Sequence, residues 1–244
     1  MSRKTGRAVG LFAVSFLLWS TAATAQSFFL TPPCAPGLCG ASRLGTTTRK
    51  APNAALENQF VEVDVTATAL LQSSSEHVAV STFASGQPSG ASGAFTADAS
   101  NGGIGLALGR LDRAYHPTCP ADPFDSKVEF AIETFGWRDI YASRILNCVS
   151  FDKSALTGTG TLRLSLTVWC IGTTCNASAS VQSLSTYAVL GSVSSNNIML
   201  ANPNTSRHIW YAVTNFAPEP YTHGAQFQVR AEGYWPSPSS SVTH

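Results

Sequence analysis

The stretch Thr161-Leu-Arg-Leu-Ser-Leu-Thr-Val168 alternates polar and apolar side chains without interruption. A period of two places the apolar side chains on one face of an extended strand and the polar ones on the other. The same rhythm recurs at 61–69, 127–133 and 226–232. No window of ten or more residues shows an apolar stripe at helical spacing. These stretches predict a protein built from half-buried β-strands.

Weaker alternation predicts further strands, separated by loops rich in glycine, serine and proline. The dipeptide Asn101-Gly102 is typical of a tight hairpin turn. Roughly ten short strands with turns between them favour an all-β fold, an antiparallel β-sandwich of jelly-roll type in a single domain. The weaker strands are predicted at 77–84, 94–99, 103–111, 138–149, 176–189, 196–201 and 207–216.

The first residues have the pattern of a cleavable secretory signal peptide. A basic start is followed by an apolar run at 8–19 and by small residues up to Ala25. The run is shorter than the roughly 20 residues that a membrane span needs. We therefore expect cleavage after Ala25, with residues 1–25 removed. The remaining protein would be secreted, or periplasmic if the source is a Gram-negative bacterium.

The rest of the chain is expected to contain an extended N-terminal segment at 26–58, a β-sandwich domain at 59–235 and a disordered polar tail at 236–244. Removal of residues 1–25 lowers the 15 basic residues to 12, against 14 acidic residues, for a net charge of −2. Nucleic acids and anionic lipids both attract basic surfaces. We therefore expect no nucleic-acid partner, and no integral membrane span after cleavage. The sequence indicates no cofactor and leaves the oligomeric state open.

Six cysteines follow the predicted cleavage site, an even number that is typical of disulfides in an exported chain. Two short spacings predict local bridges, Cys34–Cys39 and Cys170–Cys175, and the remaining pair predicts Cys119–Cys148. On the chain-entropy model the longer loop contributes about 3 kcal/mol. Zinc binding is the alternative, but neither short pair has a nearby histidine or a Cys-x-x-Cys spacing. We therefore expect a disulfide-stapled sandwich without a metal site.

Two pairs of acids lie on single predicted strands. Glu62 and Asp64 share one strand face at about 6.6 Å, whereas Glu129 and Glu133 are about 13 Å apart, too far for glycosidase geometry. The segment from Glu62 to Val65 resembles part of the catalytic strand of the laminarinase-type β-glucanases, which are jelly rolls. In that family a second glutamate follows as acid/base, and this chain has Thr66-Ala67 there. We therefore assign no catalytic residue.

The C-terminal region is rich in aromatic residues, which can stack on the apolar faces of sugar rings. In the predicted strand around residue 210, Ile209, Tyr211 and Val213 would face one way, and His208 and Trp210 the other. His208 and His223 would flank a hairpin formed by the last two strands. The candidate ligand-binding residues are Trp210, His208, His223, Tyr221 and Trp235.

Three functions remain open at this level. The absence of a Gly-x-Ser-x-Gly nucleophile elbow or a clustered metal motif favours an exported, non-catalytic β-sandwich module that binds glycan or another extracellular surface ligand. One alternative is a secreted hydrolase or lyase acting on polysaccharide, with acids from different strands. The other is a structural or adhesive surface protein without a small ligand.

Overall fold

The computed structural model describes residues 26–31, 34–35, 38–39, 41–47, 57–72, 76–84, 103–109, 119, 126–134, 144–171, 173–199, 208–215 and 223–236. The predicted signal peptide, the strand predicted at 94–99, the Asn101-Gly102 turn and all but the first residue of the predicted tail lie outside these ranges. The proposed division of the chain into segments therefore stays a prediction.

Within these ranges the secondary structure is nearly all strand. A short helix, α1 (Thr68–Gln72), and a 3-10 turn (Lys153–Leu156) accompany the strands. The strands are β1 (Ser27–Leu30), β2 (Cys34–Ala35), β3 (Leu38–Cys39), β4 (Ala41–Thr47), β5 (Glu57–Thr66), β6 (Glu76–Ala84), β7 (Ile104–Gly109), β8 (Lys127–Thr134), β9 (Arg144–Asp152), β10 (Leu162–Ile171), β11 (Thr174–Ser183), β12 (Val189–Met199), β13 (His208–Asn215) and β14 (Ala225–Pro236).

Two six-stranded antiparallel sheets form a sandwich among the described strands. The front sheet has the order β1-β14-β5-β10-β11-β12, and the back sheet has the order β4-β13-β6-β7-β8-β9. The small pair β2–β3 stands apart from both. The antiparallel β-sandwich of jelly-roll type that the alternating stretches predict is confirmed.

The core between the sheets is formed by the apolar half of each alternating strand. Leu164 and Leu166 of β10 are buried and lie in register beside Val63 and Val61 of β5. They belong to one continuous cluster with residues of the back sheet such as Phe130. Each fully buried aliphatic side chain of this kind contributes roughly 1.5–3 kcal/mol. The alternation therefore supplies the apolar side chains that pack the two sheets together, and it leaves the polar side chains of the front sheet facing outward.

The outer face of the back sheet is covered rather than exposed. A second buried cluster lies there, and the disulfide Cys119–Cys148 attaches Cys119 to β9. The members of the cluster are Ala79, Ala107, Cys119, Ala131, Ile145 and Ala212. The open polar face of the described sandwich is therefore that of the front sheet.

Two of the three predicted disulfides are confirmed. Cys119–Cys148 has a Cα–Cα distance of 5.4 Å, and Cys170–Cys175 has one of 4.0 Å across the β10–β11 hairpin. Cys34 and Cys39 are backbone partners in the β2–β3 pair. Their side chains lie outside what the structure describes.

Four local features differ from what the sequence predicts. The alternation that begins in β5 ends at Thr66, because the chain turns into α1. The segment before residue 58 contributes β1 and β4 to the edges of the two sheets. The predicted hairpin of the last two strands is wrong, since β13 pairs with β4 and β6 while β14 pairs with β1 and β5. A β-bulge interrupts β14 at Arg230.

Neither helix in the described ranges is long and apolar enough to cross a membrane.

Candidate functional site

A row of five polar residues crosses the outer face of the front sheet. Consecutive backbone partners along it are Ser27, Gln228, Asp64, Arg163 and Gln182, from five neighbouring strands. Each alternates with buried core residues of its own strand, which fixes its side chain on the outer face. The row therefore assembles polar groups that lie more than 150 residues apart in the chain.

Asp64 stands at the centre of this row between two arginines. Arg163 forms a bidentate pair with it: Nε donates to Oδ1 at 2.8 Å, and Nη2 donates to Oδ2 at 3.2 Å. Arg230 donates from Nε to Oδ2 at 2.5 Å. Burial alone would raise the pKa of Asp64, but the hydrogen bonds from Arg163 and Arg230 outweigh it and hold the pKa below its usual value. Asp64 is therefore an ionised carboxylate at neutral pH.

The β-bulge in β14 places Arg230 in this contact. Val229 pairs with Val63 and Ala231 pairs with Glu62, so Arg230 is the extra residue between them. A bulge changes the direction of the side chain that it contains. Arg230 thereby reaches Asp64 diagonally, while Arg163 reaches it from directly opposite. Asp64 is thus held from both neighbouring strands.

A polar cavity of about 440 Å³ opens beside the Asp64–Arg230 pair. Two side-chain contacts order its walls: Thr66 and Thr161 share a hydrogen bond of 2.9 Å, and Gln226 donates to Ser27 at 2.7 Å. Among the described lining residues, Leu184 is the one large apolar side chain. The lining residues are Ser27, Asp64, Thr66, Gly160, Thr161, Leu184, Ser185, Gln226, Gln228 and Arg230.

The turn between β11 and β12 carries an exposed tyrosine next to this cavity. Tyr187 is 74% exposed and has a φ of 59°, a left-handed conformation that is rare for a bulky residue. The amide of Gln182 donates to the Tyr187 carbonyl at 2.9 Å, which anchors the turn to the polar row. Leu184 and Ser185 of the same turn line the cavity. The turn that carries this exposed aromatic ring therefore also forms part of the cavity wall.

The turn is ordered by hydrogen bonds of its own serines and threonines. The Ser183 hydroxyl lies 3.0 Å from that of Ser185 and accepts from the Thr186 backbone at 3.3 Å. The Ala188 backbone donates to the Thr186 hydroxyl at 3.3 Å, and the Ser183 backbone donates to the Ala188 carbonyl at 2.9 Å. These bonds hold the positive φ of Tyr187 in place.

Both acids that the sequence predicts on one face of β5 form ion pairs with arginine. Glu62 and Asp64 lie on the outer face as predicted, but Glu62 Oε1 is 3.6 Å from Arg163 Nη1. Both acids thus share Arg163. Asp64, a carboxylate whose pKa is lowered by two guanidinium groups, is poorly suited to protonate a glycosidic bond.

The other acid pair lies on the covered face of the back sheet. Glu129 and Glu133 flank Ala131 on β8 and are both buried. Burial raises the pKa of Glu133 to about 8, and its Oε1 has no hydrogen-bond partner in the described part of the chain. Glu133 is therefore a protonated acid at neutral pH.

The structure places the predicted ligand-binding residues on different sheets. His208 and Trp210 belong to β13 of the back sheet, where Trp210 is the backbone partner of Ser81. Trp235 belongs to β14 of the front sheet, and His223 lies just before that strand. Tyr221 lies outside the described residues, as do the side chains of His208, Trp210 and Trp235. Their role in ligand binding stays a prediction.

Of the residues that line the cavity, the sequence singles out Asp64 alone, as one member of an acid pair. Arg163 and Arg230 occupy polar positions of alternating stretches, where any charged residue would fit the pattern. Their convergence on Asp64 depends on strand order and on the bulge. Tyr187 lies in a Ser-Thr-Tyr segment without glycine, so nothing in the sequence indicates a positive φ there.

Among the described residues, no group of three or more histidine, cysteine, aspartate or glutamate side chains is placed to hold a metal ion.

Comparison with known proteins finds similarity of structure alone. No family model matches this chain, and no curated protein matches it by sequence. A Lotus tetragonolobus seed lectin aligns at a TM-score of 0.47 with 8% identity, covering 86% of this chain and 94% of the lectin. The metal-free carbohydrate recognition domain of Emp46p aligns at 0.42 with 13% identity, covering 84% and 87%.

A third match is the CBM2 module of the evolved Dit of Lactobacillus casei BL23 phage J-1, with a TM-score of 0.41 and 10% identity. It covers 76% of this chain, which in turn spans 66% of the length of the module. With TM-scores below 0.5, none of these structures assigns a function to this chain.

Proposed function

We propose that this protein is an exported, non-catalytic module that binds a glycan in the front-sheet cavity. The observation that carries the proposal is the cavity itself, a depression lined by hydroxyl, amide and charged side chains, with an exposed tyrosine on the turn that forms part of its wall. Sugars offer many hydroxyl groups on one edge and an apolar ring face, so this combination suits them.

The polar side chains of the cavity are fixed before any ligand arrives. Ser27, Thr66, Thr161 and Gln226 already hold one another by hydrogen bonds. Preorganised donors and acceptors lose little conformational entropy when they bind a ligand. Gln228, which lines the cavity between Ser27 and Asp64 in the row, offers an amide that can both donate and accept.

Tyr187 supplies the apolar surface in this proposal. Its ring is exposed, and the strained backbone beneath it is held by the turn. Strain that the surrounding structure maintains is common at binding sites. We infer that the ring stacks on a sugar ring that enters the cavity. Stacking against an aromatic side chain contributes roughly 0.5–1.5 kcal/mol beyond the burial of area.

Export is part of the proposal. Disulfides of this kind persist in oxidising compartments, and both described bridges are compatible with an extracellular location. Residues 1–25 would direct the chain there. Trp210, His208, His223, Tyr221 and Trp235 remain proposed ligand contacts. Of these, His208 and Trp210 belong to the back sheet and would form a second surface, separate from the cavity on the front sheet.

A glycan panel measured by isothermal titration calorimetry tests the proposal. Gln228→Ala and Tyr187→Asn should each weaken binding of any positive glycan by about tenfold. Tyr187→Asn is chosen because asparagine tolerates the left-handed conformation. Gln72→Ala is the matched control, since Gln72 is exposed at the end of α1 and does not line the cavity.

Two outcomes would contradict this assignment. Wild-type affinity in both cavity variants would place the glycan elsewhere, and Trp210→Ala would then test the second surface. Release of shortened or unsaturated sugars during incubation would make the protein a hydrolase or lyase instead of a binding module.

A further inference from the structure

We propose that the glycan bound in the front-sheet cavity carries an anionic group, a carboxylate or a sulfate ester, and that Arg230 binds it. The inference rests on the proposed glycan-binding function and adds the chemical class of the ligand. It is carried by the distribution of charge and of unused hydrogen-bond donors around Asp64.

Asp64 has little capacity left to receive a ligand. Its Oδ1 accepts one hydrogen bond and its Oδ2 accepts two, all from guanidinium groups. Its side chain is 2% exposed, beneath the arginines. A sugar hydroxyl entering the cavity therefore finds the Asp64 carboxylate already occupied by the two arginines.

Arg163 has more acidic partners than Arg230 to balance its charge. Arg163 holds Asp64 with two arms and lies 3.6 Å from Glu62, so two acids balance its charge. Among the described residues Arg230 pairs with one acid, Asp64, which Arg163 already holds in a bidentate pair. Asp64 and Arg230 are the charged residues of the described cavity lining, and Arg230 is 41% exposed whereas Asp64 is 2% exposed. The positive charge facing the cavity is therefore that of Arg230.

Arg230 also has hydrogen-bond donors that no described residue uses. Its Nε is used on Asp64, while Nη1 and Nη2 have no partner among the residues that the structure describes. Its side chain is 41% exposed and lines the cavity. Two terminal guanidinium nitrogens form a planar fork that matches two oxygens of a carboxylate or sulfate. The contact with Asp64 fixes the direction of that fork.

The neighbouring side chains suit the rest of such a sugar. Gln226, Gln228, Ser27 and Thr66 line the same cavity as Arg230 with neutral donors and acceptors. A uronic acid or a sulfated sugar presents one anionic group among several hydroxyls. The cavity offers the complementary arrangement, with one guanidinium group among neutral hydroxyl and amide groups.

Paired ligands that keep the sugar chain and differ in the anionic group test this inference. Oligogalacturonides are compared with their methyl esters, and sulfated oligosaccharides with their desulfated forms, by calorimetry on the purified protein. In at least one pair the anionic member should bind about ten- to a hundredfold more tightly, as expected for a charge-assisted bidentate contact. The preference should shrink as salt is raised from 0.05 to about 0.5 M. The pair that shows the preference identifies carboxylate or sulfate as the group.

Variants link the preference to Arg230. Arg230→Gln should abolish it, and Arg230→Lys, which keeps the charge but loses the fork, should retain a smaller part. Lys153→Gln is the control for net charge, because it removes one positive charge outside the cavity and should leave the preference intact. Thermal unfolding of each variant confirms that it is folded, and Arg230→Lys serves as the test if Arg230→Gln is not.

The outcomes separate this inference from the proposed function. Equal binding of charged and neutral members, still weakened by Gln228→Ala, would overturn the anionic ligand and leave glycan binding standing. A preference that survives in Arg230→Gln would overturn the role of Arg230. Absence of binding to every glycan would overturn both proposals.

Discussion

The hydroxyl of Tyr211 in the back sheet donates a 2.6 Å hydrogen bond to Oε2 of Glu232 in the front sheet. Tyr211 is fully buried, and its ring also packs edge-on against Phe28 and Phe227. The bond therefore joins the two layers of the sandwich through a polar contact at the edge of an aromatic cluster.

Tyr211→Phe should lower the free energy of unfolding by about 1–3 kcal/mol, because it removes a charge-assisted hydrogen bond and leaves the ring in place. Chemical denaturation measures the change. Tyr187→Phe removes an exposed hydroxyl and is the matched control, with an expected effect within about 0.5 kcal/mol. Equal effects of the two substitutions would show that the bond adds nothing.

Asp64→Asn should destabilise the protein by about 2–3 kcal/mol, since it leaves two arginines facing each other without their shared anion. The double variant Asp64→Asn/Arg163→Gln should lose less than the sum of the single losses, as expected for directly coupled residues. Additive losses in denaturant unfolding would contradict a direct pair.

The same pair predicts a loss of stability in acid. The pKa of Asp64 is lower in the folded protein than its usual value of 3.8, so the unfolded chain binds the proton more readily. The stabilisation is present above pH 3.8 and is lost as pH falls through the lower folded pKa. Asp64→Asn should remove this part of the acid profile in thermal melts at pH 2 to 5.

Glu133→Gln should flatten a different part of the pH profile. The pKa of Glu133 rises from 4.5 to about 8 on folding, so the folded protein holds a proton that the unfolded chain releases. This group's contribution is complete below pH 4.5 and is lost as pH rises towards 8, by a few kcal/mol at most. Thermal melts from pH 5 to 8 measure the slope. Asp152→Asn, at an exposed residue, should leave the slope in place, and an unchanged slope in Glu133→Gln would refute the assignment.

Removal of the two described disulfides should have unequal costs. Cys170→Ala/Cys175→Ala opens a short loop and should cost about 2 kcal/mol, whereas Cys119→Ala/Cys148→Ala opens a separation of 29 residues and should cost about 3–4 kcal/mol. Denaturant unfolding of both double variants gives the comparison. The reverse order would mean that packing at the cysteines outweighs loop closure.

Tyr187→Asn should leave the protein as stable as the wild type or raise its stability by up to about 1 kcal/mol, because it relieves a bulky side chain at φ 59°. If the same variant also loses glycan binding, the tyrosine is maintained for function at some cost in stability. A destabilised variant would show instead that the ring supports the turn.

The sequence predicts the strands of this fold better than it predicts their partners. The alternation in β10 specifies which side chains are buried, and the structure confirms it from Leu162 to Cys170. Periodicity carries no information about which distant strand lies alongside. The separation of β13 and β14 into different sheets could not be read from their neighbouring positions in the chain.

The bulge in β14 shows why the site itself was harder to predict. Strict alternation places Ala231 in the core and Glu232 in solvent. The extra residue at Arg230 reverses this, because Ala231 pairs with the outward-facing Glu62, and Glu232 pairs with the inward-facing Val61 and reaches Tyr211. One inserted residue thus creates both the inter-sheet hydrogen bond and the second arginine on Asp64. A bulge without glycine or proline leaves no compositional signal.

The first described strand forms one wall of the proposed binding site. Ser27 lines the cavity, and the carbonyl of Gln26 accepts a hydrogen bond from the Val229 backbone. An affinity tag fused directly before Gln26 would end two residues from Ser27 and could occupy the cavity in place of a ligand. Recombinant protein intended for binding measurements should therefore carry its tag at the opposite terminus.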